Sequence, residues 1–335
     1  MSPQFVDFDG DGDDDIVCGI YDGSPHVSYY DQDREGFLQP VEILDREGRR
    51  IVMNAWWNFD EKKWDETDRC DPEGGAPAVG HLTSAIAFDY DRDGDNDLVL
   101  GDHRGGYVYV RRNEGSDAAP QFATQNEVVL AAGVPMRVPG TVGTIRAVDW
   151  DGDGALDLMI SGMDEANGPD SGGSVSVYLD QRASGQAAFG AAVTLIPARK
   201  KDARGSARQP DYGLYHEPVD IDGDGDLDLL VGGYSIWEPE PRKLTPAESD
   251  RVAHLQAQVA ALKAAYDELI AQANKAREGL EGEAATEAFA AAYDAIRPQL
   301  AEVTAKLSPA QDELGELKPR TQRSSFTWLY ENLTQ

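Results

Sequence analysis

The chain has 335 residues, with 61 acidic against 30 basic side chains and a formal charge of −31. That balance excludes a phosphate-tracking nucleic-acid binder, because no basic patch offsets the repulsion. The chain holds no run of 18 apolar residues to span a membrane and too few cysteines for a disulfide framework.

The first strand-like segment, Gln4-Phe5-Val6, runs directly into an acidic loop, Asp7 to Asp15 (DFDGDGDDD). The same D-x-D-x-D-G-x-x-D pattern returns at Asp89 to Asp97, Asp149 to Asp157 and Asp220 to Asp228, with starts 82, 60 and 71 residues apart. Together the loops hold 20 of the acidic residues. Carboxylates at positions 1, 3, 5 and 9 point to one small volume: Asp7, Asp9, Asp11 and Asp15; Asp89, Asp91, Asp93 and Asp97; Asp149, Asp151, Asp153 and Asp157; Asp220, Asp222, Asp224 and Asp228. Position 7 varies chemically (Asp13, Asp95, Ala155, Asp226), which fits a ligand supplied by its backbone carbonyl. Glycine at position 6 (Gly12, Gly94, Gly154, Gly225) permits the sharp turn. A hard cation takes six to eight oxygens, so about four Ca²⁺ ions are expected. A lone loop of this kind reads equally well as a solvated acidic turn; four complete copies do not. An EF-hand is excluded, since position 12 is Cys18, Leu100, Ile160 or Val231 instead of glutamate, each in a strand-like run.

Each loop leads into a β-branched or leucine run ending in glycine: DIVCG, DLVLG, DLMISG and DLLVGG. An alternating strand follows at 26–31, 107–113, 174–180 and, after a long interruption, 326–332. A last apolar strand is expected over Phe37 to Leu44, Phe122 to Leu130 and Phe189 to Ile196, and the fourth unit lacks one. Four antiparallel strands per unit read as propeller blades. Residues 45–80 either hide a degenerate blade or carry an insert. Its aromatic cluster, Trp56, Trp57, Phe59 and Trp64, offers a sugar- or protein-contact surface, or a cover over a sheet edge.

These repeats resemble the FG-GAP/VCBS family, which includes the calcium-binding β-propellers of integrin α subunits and many bacterial surface and secreted proteins. The likeness covers roughly residues 3–240 and 321–333 and implies a propeller whose loops join the first two strands of each blade. Only four loops are visible, where the family commonly has seven blades, so the chain reads either as a closed four-blade disc or as one part of a larger propeller.

The fold class expected is therefore all-β, with an inserted helical hairpin. Residues 1–243 form the blades, 244–318 the insertion and 319–335 the return strand. Thr245-Pro246-Ala247-Glu248 spells a capping box with proline at N1. Val252, Leu255, Val259, Leu262, Tyr266, Leu269 and Ala273 recur at 3-4 spacing, and Phe289, Tyr293, Ile296, Leu300, Val303 and Leu307 repeat the pattern. Two such seams around a polar turn at 277–283 predict an antiparallel coiled-coil hairpin. Pro298 is expected to kink the second arm, and Ser308-Pro309 to start a short further helix. By topology the hairpin leaves from the face opposite the metals, which suits a protein partner.

No catalytic constellation is legible: the five histidines are dispersed, and neither zinc spacing, a nucleophile elbow nor a phosphate loop occurs. Asp102-His103 reads as a turn pair before it reads as a general base. The basic runs 111–113 and 198–204 read as solvated loops, and Cys18 and Cys70 as two free thiols. The expected function is a non-catalytic, calcium-stabilised binding or scaffold propeller. A carbohydrate-binding surface module is the alternative, followed by an extracellular lyase or hydrolase. MSPQFVDFDG enters the first blade at once and resembles no leader. The scarcity of cytosolic calcium nevertheless points to the periplasm, cell surface or exterior.

Overall fold

The sharp glycine turn of each acidic loop folds the chain back on itself, so every loop closes an antiparallel strand pair. The computed structural model describes residues 3–53, 55–66, 81–103, 105–137, 142–162, 172–182, 189–198, 210–280, 282–319 and 321–332. The first sheet contains β1 (Gln4–Val6), β2 (Asp15–Gly19) and β3 (Pro25–Ser28). A small ribbon, β4 (Tyr30–Asp31) with β5 (Gly36–Phe37), precedes β6 (Val41–Glu42), giving the order β1-β2-β3-β6. Between the first and second sheets stands a two-stranded hairpin, β7 (Ala55–Asn58) with β8 (Lys63–Glu66).

The second sheet pairs β9 (Leu82–Phe88), β10 (Asp97–Asp102), β11 (Val108–Arg111) and β12 (Glu127–Val128), followed by the ribbon β13 (Leu130–Ala131) with β14 (Val134–Pro135). The third pairs β15 (Val142–Val148), β16 (Asp157–Gly162), β17 (Val175–Tyr178) and β18 (Val193–Ile196). The fourth has three strands, β19 (Tyr212–Val219), β20 (Asp228–Trp237) and the return strand β21 (Gln322–Tyr330). The expected last strands are thus present in the first three sheets, but β6 and β12 are only two residues long. The chain is mostly β, with several antiparallel sheets and two helices.

The β unit runs through Ile236 and resumes at Arg323; a helical unit spans Trp237–Gln322. Within the β unit the four-sheet series packs face to face in chain order. Val17, Val27 and Phe8 meet Ala85, Leu98 and Leu100; Ile86, Val99 and Val110 meet Ile145, Leu158 and Ile160; Met159 and Val177 meet Leu214, Leu229 and Val231. The registers explain the alternation: Val99 pairs with Ile86 and Val110, while Leu98 and Leu100 pair with Ala87 and Ala85 on the other face. Burying a side chain of this size from water contributes about 1.5–3 kcal/mol.

One polar group sits inside the third of these cores. His216 on β19 is buried, and the hydrogen-bonding group beside its ring is the Met159 backbone. Burial, and then the Arg146 cation, push its pKa down from 6.5 to about 3. The folded chain therefore refuses a proton that the unfolded chain takes up below about pH 6.5, and stability is lost as pH falls from there towards 3. A His216→Leu variant is expected to melt later at pH 7 and to be less acid-sensitive. Denaturant midpoints at pH 7 and pH 5 should show the wild type losing about 2 kcal/mol more than the variant.

One expectation about side chains is corrected. The run at 111–113 is no solvated loop. Arg111 is fully buried in β11, donating to Asn126 Oδ1 at 2.8 Å and to the Ala123 carbonyl at 2.6 Å, while Arg112 pairs with Asp91 and Glu127. A buried guanidinium needs acceptors for its charge, and sequence alone does not reveal these two partners. Residues 199–204 and Cys70 lie outside the described residues; Cys18 is half-buried on β2, and burial raises its thiol pKa.

The helical unit consists of α1 (Pro246–Lys275) and α2 (Gly282–Leu317). Thr245 accepts from the Glu248 N–H and Glu248 accepts from the Thr245 N–H, so the capping box forms. Ala273, Ile296 and Leu300 form the buried centre of the seam, with Tyr266, Leu269, Phe289 and Tyr293 against them. Arg251 at the start of α1 forks onto Glu313 near the end of α2, both bonds at 2.6 Å. The expected restart at Ser308-Pro309 does not occur: α2 is helical through both Pro298 and Pro309. Both prolines are exposed, where water can take the place of each missing backbone bond and seam contacts hold the flanking turns. Among the described residues, no helix is long and apolar enough to cross a membrane.

Candidate metal centres

The four loops share one internal bonding scheme. The position 1 carboxylate accepts the position 6 glycine N–H: Gly12 to Asp7, Gly94 to Asp89, Gly154 to Asp149 and Gly225 to Asp220, all between 3.0 and 3.2 Å. The glycines at position 6 have φ between 87° and 102°, a region open to them without strain. Position 5 accepts the position 7 N–H: Asp13 to Asp11, Asp95 to Asp93, Ala155 to Asp153 and Asp226 to Asp224. These bonds curl the backbone into a cup and aim the remaining carboxylate oxygens into it.

The result is four acidic triads. Asp7, Asp9 and Asp11 bring ligand atoms within 4.8 Å of one another, as do Asp89, Asp91 and Asp93, and Asp220, Asp222 and Asp224. In the third loop the triad is Asp149, Asp151 and Asp157. Buried carboxylate oxygens at these cups have no hydrogen-bond partner: Oδ1 of Asp7 and of Asp149, Oδ1 of Asp95 and of Asp226, and Oδ2 of Asp97. An orphaned buried oxygen costs about 1–3 kcal/mol, more when charged. Several of them in cups of like charge fit a divalent cation.

Electrostatics agree. Burial, and then repulsion from Asp93, Asp117, Asp91 and Asp89, push Asp95 up to about 6. Burial pushes Asp97 up to about 7 and Asp157 up to about 6, against hydrogen bonds that lower them. Asp9, Asp15 and Asp226 are raised too, burial again leading. A cation in each cup would hold these groups ionised.

Position 9 has a second task. Asp15, Asp97, Asp157 and Asp228 are all buried. Asp15 accepts from Phe8 N at 3.2 Å and Tyr30 N at 2.8 Å; Asp157 accepts from Trp150 N at 3.0 Å and Asp180 N at 2.7 Å. Asp228 accepts from Ile221 N and, 104 residues onward, Asn332 N. Asp97 accepts from Asn113 N at 2.6 Å. Each position 9 carboxylate therefore clamps its loop to the end of the third strand.

Several contributors carry no motif. Asp117 accepts the Asn96 N–H at 2.6 Å, and Asn96 Nδ2 donates to the Asp7 carbonyl at 3.0 Å, tying the second loop to the first. Arg112 holds Asp91, and Gln32 donates to Asp13. Position 4 also lies at positive φ, as Gly10, Gly152 and Gly223 and, without glycine's freedom, as Arg92 at 67°. The glycines at position 4 were the available signal for that second left-handed residue.

The other sites singled out in the sequence are explained by packing. Asp102 is buried and closes its turn by accepting the Gly105 N–H at 2.7 Å. Arg50 lies 3.9 Å over the Trp56 ring, Trp64 stacks on His81 at 3.8 Å, and Trp57 meets Trp64 edge-on. Phe59 is exposed.

A family model described as an FG-GAP-like repeat matches residues 89–160, the stretch from the second acidic loop through the third loop and into β16. No curated protein matches the chain.

Proposed function

We propose that the chain is a calcium-stabilised, propeller-type binding or scaffold module of the cell exterior or periplasm, without catalytic chemistry. The observation that carries this reading is the repeated cup: four carboxylate triads within 4.8 Å, lined by orphaned buried oxygens. The FG-GAP-like match over residues 89–160 supports it, because such repeats commonly serve binding or scaffolding in exported proteins. Asp7, Asp9 and Asp11 and their counterparts would hold the ions, with backbone carbonyls at position 7 and water completing the six to eight oxygens of calcium. The ion's role is structural: it neutralises each loop and couples binding to folding of the strand pair.

The helical hairpin is the proposed protein-docking element. Its seam buries few side chains, so a partner helix or sheet has apolar surface to cover. The covered ring faces of Trp56 and Trp64 favour a packing role for the aromatic insert over a sugar platform. Limited proteolysis tests the calcium claim in the folded chain. The β unit should resist cleavage in millimolar calcium and be cut within the acidic loops after chelation. Equal protection in both conditions sinks the reading.

A further inference from the structure

The acidic loops are tied to one another as well as to their own sheets. Asn96, at position 8 of the second loop, donates through Nδ2 to the Asp7 carbonyl of the first loop at 3.0 Å. The N–H of the same residue is held by Asp117 Oδ1 at 2.6 Å. Asp117 also abuts the first loop, since a methyl group on Gly10 would lie 3.3 Å from the Asp117 Cβ. Asn96 and Asp117 thus bracket the first loop at its positions 1 and 4.

A different bridge runs from the second loop to the third. Arg92, at position 4 of the second loop, donates through Nη2 to Asp180 Oδ2 at 3.2 Å. The Asp180 carboxylate is buried and is gripped by Arg182 as well. The Asp180 N–H donates to Oδ1 of Asp157, position 9 of the third loop, at 2.7 Å. Arg92 takes a φ of 67° where the other three loops place Gly10, Gly152 and Gly223. A residue with a side chain persists in that conformation only where its surroundings over-determine it, and the buried Asp180 partner does so here. The fourth loop offers neither link: its positions 4 and 8 are Gly223 and Leu227, whose side chains have no hydrogen-bonding group.

We propose that the first three cups bind calcium cooperatively, coupled through Asn96 and Arg92, and that the fourth binds on its own. The inference rests on the calcium reading above and adds the dependence of one site on another. Both links end on residues of a neighbouring triad, Asp7 in the first cup and Asp157 in the third. Arg92 itself lies between the triad residues Asp91 and Asp93. Occupation of the second cup fixes the backbone that carries Arg92 and Asn96. Asn96 then holds Asp7 in place, and Arg92 holds Asp180 and through it Asp157. A neighbouring cup that is already ordered binds its own ion more tightly. The coupling is reciprocal, so filling the first or third cup favours the second by the same factor.

Trp150, at position 2 of the third loop, supplies a reporter for that cup. Tb³⁺, a hard cation that oxygen cups take in place of Ca²⁺, luminesces when a nearby indole is excited. The full chain is titrated with Tb³⁺, and the signal lost in Trp150→Phe is assigned to the third cup. Emptying the second cup with Asp89→Asn/Asp93→Asn should weaken third-cup binding by about fivefold or more. Emptying the fourth with Asp220→Asn/Asp222→Asn should leave it unchanged. Arg92→Gly, which installs the residue of the other loops, should weaken the third cup as much, and emptying the second cup in that background should add nothing. Emptying the first cup with Asp7→Asn/Asp9→Asn should weaken the third in the wild type but not in Asn96→Leu. The proposal is overturned by a third-cup affinity indifferent to the second cup, or by an Arg92→Gly chain that still responds to it. An equal response to the fourth cup overturns it too. Absence of any signal dependent on Trp150 in the wild type would instead show that no ion enters the third cup, and the calcium reading itself would fail.

Discussion

Chelation of calcium is expected to lower the melting temperature of the β unit by roughly 20 °C. Each cup, filled at about 100 times its dissociation constant, stabilises the native chain by about 2.7 kcal/mol. Four cups sum to about 11 kcal/mol, and a domain of this size shifts by about 2–4 °C per kcal/mol, of which the lower end is taken. The stabilisation has a local origin. Without a cation, the orphaned oxygens of Asp7, Asp149 and Asp97 are buried unpaired, and Asp95, Asp97 and Asp157 are driven up to between about 6 and 7. A cation reverses both costs. Circular dichroism melts in excess calcium, in chelator, and in chelator with excess magnesium will read the effect. Magnesium should restore little, because it demands a tighter octahedron than a flexible loop of three carboxylates supplies. Coincident calcium and chelator melts would contradict the expectation.

The largest single-residue effects are expected at position 9. Asp15→Ala and Asp157→Ala each remove the acceptor for two backbone N–H groups, Phe8 and Tyr30 in the first case, Trp150 and Asp180 in the second. Both carboxylates are buried, so water does not readily replace them. Two stranded donors at about 1–3 kcal/mol each place the cost at about 2–6 kcal/mol. Asp14, one residue away and exposed, serves as control; Asp14→Ala should stay within about 0.5 kcal/mol. The clamp differs from the metal in one respect. For Asp15, which lies outside its triad, the loss should persist in chelator, because the hydrogen bonds are lost whether or not an ion is bound. Urea midpoints with and without calcium separate the two contributions, and an Asp15→Ala cost that vanishes in chelator would show that the residue acts only through the ion.

What the sequence made legible follows the physics of short range. The cup is a local object: its glycine at positive φ, its alternating carboxylates and its flanking strands lie within a few residues of each other, so the pattern reads directly. The continuous apolar runs DLVLG and DLMISG likewise announced strands, and the structure buries β10 and β16 on both faces. DIVCG looked equivalent, yet Ile16 and Cys18 are half-buried, because whether a sheet has a neighbour is decided elsewhere in the chain. Position 9 was read as a ligand like the others. Its clamping partners, Tyr30, Asn113, Asp180 and Asn332, lie 15 to 104 residues on, beyond any local pattern. Arg111 was misread for the same reason, since Asn126 and the Ala123 carbonyl hold it from a neighbouring segment. Pro309 was given too much weight. Proline's cost in a helix is one bond and a clash, and seam contacts around an exposed position can carry it.

Calorimetric titration of calcium into the metal-stripped chain tests the central claim most directly. The account predicts saturable binding of about four equivalents, and loss of one equivalent in each of Asp7→Asn/Asp9→Asn and Asp220→Asn/Asp222→Asn. No saturable heat, or a stoichiometry unchanged by those substitutions, would contradict it.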